Sequence, residues 1–361
     1  MKADIIDLLN KKPGLKGREI AKLLGLDKKD VNSLLYNDAT DDFQQIDRLW
    51  FIRPKSVVVS VEKTGWLSAL DFDDILSKSP DLWLDSTPEI RFEFHNCSIM
   101  LGAIARILSL VNQLACVGKE IILDFSECSE SFSYLCRVGL FDALNQAVQV
   151  FPKVQDYSTH YGKNIKLMEF VSIPAGTEES NLPKRLKDAF VELAGDQYAN
   201  TAFGFIAEYI NNIIEHSQTP IPGVAALQVY GKGAKRKKVQ TIFSDSGRGI
   251  IGTIRPVLKS RYPLLHKKYP LKGKDSDVNL LKEVLEFGGV SGAQDADFKG
   301  RGLGLKVSAR NAAKFDATIC VRQETFELTL KYQQGALHDY TSKTKLQKIL
   351  GTHICFDFYL D

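Results

Sequence analysis

The sequence predicts a chain of the α/β (α+β) class in three folded parts, on three observations. The first 55 residues place apolar-periodic helical segments before two brief strand-like runs. Residues 89–175 alternate strand and helix signals. Residues 183–361 set two helices before a series of strands.

At 361 residues the chain exceeds one ordinary core, so two or three domains are expected. Its 44% hydrophobic and 25% charged content is that of a globular protein. No stretch approaches the roughly 18 consecutive apolar residues of a membrane helix. The opening Met-Lys-Ala-Asp leads into an amphipathic pattern, not a signal-peptide core. A cytoplasmic protein without membrane contact is expected. Cys97, Cys116, Cys128, Cys136, Cys320 and Cys355 form no Cys-x-x-Cys pair and sit mostly in apolar runs. That is the pattern of buried free thiols in a reducing compartment. The scattered histidines suggest no zinc site. A net charge of +3 decides nothing about nucleic acid, so local patches must.

In residues 1–55, one helix is marked by Ile5, Ile6, Leu8 and Leu9, and a second by Ile20, Ala21, Leu23 and Leu24. A third is marked by Val31, Leu34 and Leu35. Gly25 breaks the second from the third, and Asp27 suits the N-cap of the third. Phe43–Ile46 and Leu49–Ile52 read as two strands, which completes a winged helix-turn-helix. Residues 56–88 read as a connector holding Gly65-Trp66 and an acidic stretch from Asp71 to Asp74. In residues 89–175, strands are expected at Ile90–Phe94, Glu120–Phe125 and Ile165–Val171. Helices are expected at Met100–Val117 and Ser131–Phe151.

Residues 183–361 carry three motifs. In Glu208-Tyr-Ile-Asn-Asn212-Ile-Ile-Glu-His216, the residues Glu208, Asn212 and His216 share one helix face. Asn212 offers an oxygen to Mg²⁺, a hard cation, and Glu208 can orient or deprotonate a water. Taken alone, the triplet equally describes a solvated polar face. The second motif, Asp245-Ser-Gly247-Arg-Gly249, follows an apolar strand. A carboxylate at a strand end can accept from an exocyclic amine, and the glycines let backbone pass close to a flat ring. A plain Asp-Ser-Gly turn fits too. The third, Gly300-Arg-Gly302-Leu-Gly304-Leu305, opens an expected helix near 303–314, where free N–H groups favour an anion. Strands are expected near 223–231, 238–244, 316–322, 325–332 and 352–360, in a mixed sheet covered on one face by helices.

In this order, with a basic segment between the last two motifs, the chain resembles the GHKL (Bergerat-fold) superfamily of gyrase, Hsp-type chaperones, MutL proteins, histidine kinases and anti-sigma-factor kinases. The resemblance spans roughly residues 185–361. It implies ATP and Mg²⁺ as ligands, with Asn212 on the metal and Glu208 as general base. Asp245 would read adenine beside Gly247 and Gly249. Gly300, Gly302 and Gly304, with Leu305, would hinge a phosphate lid of residues 251–299. Gly351-Thr352 resembles the last pocket motif. Lys259, Arg261, His266, Lys267, Lys268, Lys272 and Lys274 lie in the expected lid, where a mobile solvated loop accounts for most of them. The basic run Lys232–Lys238 reads as a hairpin tip. No phosphoacceptor helix is expected before this part and no transducer domain after it, which weighs against an orthodox sensor kinase and a gyrase-like or MutL-like machine.

The N-terminal unit resembles winged helices of the Z-alpha type, which implies duplex DNA contact through Lys28, Asn32 and Tyr36. The prolines of that type before the tryptophan are replaced by Asp47 and Arg48. Protein contact by the same unit, with Tyr36 and Trp50 as core, stays open. Residues 89–175 resemble a STAS-like domain through Glu120–Ser126, with Ser131, Ser133 and Gly139 only loosely matching its phosphorylation site. The expectation is a Mg²⁺-dependent ATPase whose lid closure controls DNA or partner binding, with ATP-dependent homodimerisation open. The alternatives are an anti-sigma-type serine or histidine protein kinase and a nucleotide-gated transcription regulator without turnover.

Overall fold

The computed structural model describes residues 1–37, 42–53, 56–84, 87–155, 161, 166–174, 181–231, 236–288, 290 and 316–360. It is a mixed α/β structure with one parallel and two antiparallel sheets.

In the N-terminal unit, α1 (Lys2–Lys11), α2 (Gly17–Leu24) and α3 (Lys28–Asn37) bury Ile5, Leu9, Ile20, Val31 and Leu35 against Phe43 and Trp50. Gly25 ends α2 in the left-handed conformation, and Asp27 accepts the Lys29 N–H at 2.6 Å at the start of α3. β1 (Phe43–Ile46) and β2 (Leu49–Ile52) pair antiparallel, as read. Asp47 and Arg48 join them with φ of 51° and 66°. Two positive φ values make the turn whose twist suits a two-residue hairpin. Proline, fixed at about −65°, could not adopt either conformation.

The expected connector at 56–88 is corrected by the structure. β3 (Ser56–Leu67) pairs parallel with β4 (Glu89–Ile99), and α4 (Ala69–Leu76) lies between them in sequence. The acidic stretch is a helix start. Ser68 accepts the Asp71 N–H at 3.2 Å, and Asp71 accepts the Ser68 N–H at 2.9 Å, a reciprocal cap. α5 (Leu101–Cys116), β5 (Glu120–Glu127), α6 (Ser129–Arg137) and β6 (Gln149–Phe151) complete a parallel sheet ordered β3-β4-β5-β6. The expected helix over 131–151 is shorter, because Gly139 takes a positive φ and the chain turns back into β6.

β7 (Leu167–Ile173) forms near its expected place but pairs with β8 in the other sheet. α7 (Leu182–Ala194) and α8 (Ala199–His216) precede β8 (Gly223–Tyr230) and β9 (Lys237–Asp245). α9 (Gly249–Arg261), α10 (Pro263–Lys268) and α11 (Ser276–Phe287) follow. β10 (Asp316–Gln323), β11 (Phe326–Gln333), β12 (Ala336–Lys343) and β13 (Thr352–Leu360) close the chain. The strand order is β12-β11-β10-β13-β9-β8-β7, and every described pairing is antiparallel, which corrects the expected mixed sheet. β12, absent from the sequence reading, is mostly exposed and polar, so no apolar alternation announced it.

The expected lid is corrected over its described part. Residues 251–287 are mostly helical, and Ile251, Ile254, Leu258, Val278, Leu281 and Val284 are buried in the core. Arg255 ties α9 to α11 through Asp277 and through Ser276 Oγ at 3.0 Å. Lys259, His266, Lys267, Lys268, Lys272 and Lys274 stay exposed.

One face of the seven-stranded sheet packs α7 and α8 through an aromatic run. Phe190 meets Phe358 at 5.1 Å, and Tyr209 stacks on Phe243 at 5.4 Å. The other face is covered by α5, which also corrects the expectation of a single covered face. Every residue of α5 from Leu101 to Leu114 is buried, because the helix lies between the two sheets. A helix apolar nearly all round must be buried. Among the described residues no helix is long and apolar enough to cross a membrane. All six cysteines are free. Cys97, Cys128 and Cys136 are buried and Cys116 is exposed.

Candidate functional site

The site is built where α8 and the ends of β9 and β13 meet. α8 places Glu208 and Asn212 one turn apart, both half-buried, with the Asn212 amide donating to Glu208 Oε1 at 3.2 Å. That bond spends the amide nitrogen on the carboxylate and leaves the carboxamide oxygen for a hard cation. Ile210 and Ile213, on the opposite side of the helix, fix the face by burial.

Asp245 ends β9 and stands opposite Thr352, the first residue of β13. Its carboxylate accepts the Gly247 N–H at 2.8 Å and is also bonded by the backbone and side chain of Thr352. Burial nevertheless pushes its pKa up to about 6, against those hydrogen bonds. Carboxyls with upward-shifted pKa values concentrate at functional sites, which makes Asp245 a candidate.

Two glycines are forced by close approach. A β-carbon on Gly247 would overlap the Ser217 carbonyl just past α8. One on Gly351 would overlap the Asp245 carbonyl, and Gly351 holds φ at +95°. Gly249 opens α9. The structure therefore brings the first two motifs and the Gly351-Thr352 pair onto one neighbourhood. Gly300, Gly302, Gly304 and Leu305 lie outside the described residues, as do the helix expected near 303–314 and Lys232 to Lys235. Ser217 Oγ is buried beside Gly247 with no hydrogen-bond partner among the described residues.

Several contributing residues were not read from the sequence. Ser246 Oγ accepts Gln113 Nε2 of α5 at 2.8 Å. His353 accepts at Nδ1 from Ser244 Oγ at 2.6 Å, and its Nε2 lies 3.0 Å from the Leu350 carbonyl. Burial, reinforced by the charges of Arg322 and Arg106, pushes the His353 pKa down to about 3. The ring is therefore neutral and donates from Nε2. The overlooked signal was Ser109 and Gln113, polar positions one turn apart in a mostly apolar helix.

The N-terminal candidates sit on α3. Lys28 and Tyr36 are exposed and Asn32 is half-buried. Tyr36 stands edge-on to Trp50 at 5.1 Å and accepts a long bond from Gln45 Nε2 at 3.4 Å. Trp50 is core, so Tyr36 is braced by the hairpin while its ring stays at the surface.

No known protein family and no curated protein matches the chain.

Proposed function

We propose that this chain is a GHKL-type ATP-binding protein and a Mg²⁺-dependent ATPase, whose nucleotide state controls DNA or partner binding through a winged helix. The observation that carries the reading is the convergence on Asp245: a half-buried carboxylate held by Gly247 and Thr352, beside two positions where only glycine fits. Such a carboxylate can accept from the exocyclic amine of adenine, and the glycines let backbone lie against the ring. The buried, unpartnered Ser217 Oγ beside Gly247 fits a ligand-facing wall.

The donor chemistry suits Mg²⁺ at Asn212, through its carboxamide oxygen. Bound Mg²⁺ would neutralise phosphate charge. Glu208 is within one turn and would take a proton from water at a carboxylate oxygen. The Gly300–Leu305 segment would complete the phosphate side. Lys28, Asn32 and Tyr36 would hold duplex phosphates and sugar. The parallel-sheet part, STAS-like in its Glu120–Ser126 strand, would be the partner module.

The test is phosphate release from ATP and Mg²⁺, with and without duplex DNA, by the native chain and by Glu208→Ala. The native chain is expected to turn over ATP faster with DNA. Glu208→Ala should lose at least 10²-fold in release while still binding ATP. Release unaffected by Glu208→Ala would remove the base from the mechanism.

A further inference from the structure

Apart from Asn112, the polar groups of helix α5 form one stripe, and that stripe faces the seven-stranded sheet at helical spacing. Gly102 N–H donates to Gln240 Oε1 at 3.0 Å, and Arg106 pairs with Glu327. Ser109 Oγ contacts Ser244 Oγ at 2.7 Å, and Gln113 reaches Ser246 and Leu350. Asn112 points elsewhere: it donates to the Ala143 carbonyl at 2.9 Å and accepts the Asn145 N–H at 2.7 Å.

The last two members of the stripe converge on the backbone of one residue, Leu350. Gln113 accepts the Leu350 N–H at 2.8 Å and donates to the Leu350 carbonyl at 2.9 Å. The same carbonyl accepts from His353 Nε2. That ring is held in turn by Ser244, and Ser244 by Ser109. The amide nitrogen of Gln113 also donates to Ser246 Oγ at 2.8 Å. Leu350 immediately precedes Gly351 and Thr352, and Ser246 immediately follows Asp245. One buried carboxamide therefore fixes both backbone segments that set the Asp245–Thr352 pair.

We infer that Gln113 is a positioning residue that sets the adenine selectivity of the Asp245–Thr352 pair. This rests on the nucleotide reading above and deepens it. Gln113 touches neither Asp245 nor Thr352, so it acts only through the backbone. Because α5 also packs on the parallel sheet, a shift of that sheet would move Leu350 and Ser246 together, and by linkage nucleotide binding would shift α5. A site built to bond an N–H rejects an analogue lacking it far more strongly than packing alone allows, so selectivity is the sensitive readout.

The experiment titrates the full chain calorimetrically with ATP and with inosine triphosphate, which carries a carbonyl in place of the amine, both with Mg²⁺. Gln113→Ala should weaken ATP binding roughly tenfold and inosine triphosphate binding less, so that the preference for ATP falls. Asn112→Ala removes a buried amide beside Gln113 that bonds Ala143 and Asn145 instead, and should leave the preference at its native value. If Gln113→Ala does not fold, Gln113→Glu keeps the volume and the bond to Leu350 N–H while losing both donations, and should also lower the preference. A native preference in the folded Gln113 variants overturns the inference. A native chain that binds neither nucleotide, or both alike, instead overturns the role of Asp245 on which it rests.

Discussion

The Asp245 carboxylate combines three donated hydrogen bonds with a pKa raised to about 6, and the two facts pull in opposite directions. Burial wins, so the folded carboxyl is a weaker acid than the unfolded one. Its ionised form therefore costs stability above about pH 6, and that cost disappears as the pH falls toward the unfolded value near 4. Asp245→Asn carries no charge to bury. At pH 7.5 the variant should melt at or above the native protein, an advantage of about 3 kcal/mol at most. At pH 4.5 that advantage should shrink or reverse. Melting temperatures at the two values check this, and a gap independent of pH would show that the carboxyl is not destabilised. A group kept at such a cost is expected where a ligand needs it. The sequence made Asp245, Gly247, Asn212 and Glu208 legible because strand end, glycine spacing and helix period are local signals. Ser217 and Gln113 were not legible, because their roles depend on contacts with residues far along the chain.

At the scale of elements, the hairpin was readable to the residue. Phe43–Ile46 and Leu49–Ile52 alternate over a core, and only two residues remain to turn the chain. What the sequence does not show is that both turn residues adopt positive φ. Arg48 at φ 66° has a β-carbon that opposes this conformation. Arg48→Gly should therefore stabilise the hairpin by about 0.5–1 kcal/mol. Slower hydrogen exchange at the β1 and β2 amides would register the gain, and unchanged exchange would mean the turn carries no strain. β3 escaped notice for a different reason. Its first half alternates Val57, Val59 and Val61, but its second half is exposed and holds Gly65, so the run reads as irregular. The helices at 251–287 were hidden because the exposed basic residues between Lys259 and Lys274 interrupt the apolar periodicity in the middle of the segment.

At the scale of the whole molecule, the decisive feature is a helix shared by two sheets. β9 and β13 alternate apolar with polar residues, which on a sequence reads as one wet face. In the fold, Gln240 and Ser244 of β9 meet polar partners on α5 instead of water. Gln240 and Asp357 lie beside the α5 N-terminus, and Asp73, Arg106, Arg322 and Glu327 form a buried network of two positive and two negative groups. Desolvation makes such a network a weak source of net stability, but any misaligned docking leaves a charge unpaired, which is costly. It therefore fixes how α4 and α5 seat against the antiparallel sheet, and with them the segments around Ser246 and Leu350. More than 100 residues separate α5 from its partners in the antiparallel sheet, so no window of sequence contains the pattern.

The central claim is that Asp245, Thr352 and Asn212 form a nucleotide site. Calorimetric titration of the full chain with ATP and Mg²⁺, beside Asp245→Asn, tests it most directly. Saturable binding at micromolar concentration, weakened at least tenfold by Asp245→Asn, is the predicted result. No heat of binding in the native protein, or equal affinity in the variant, would contradict it.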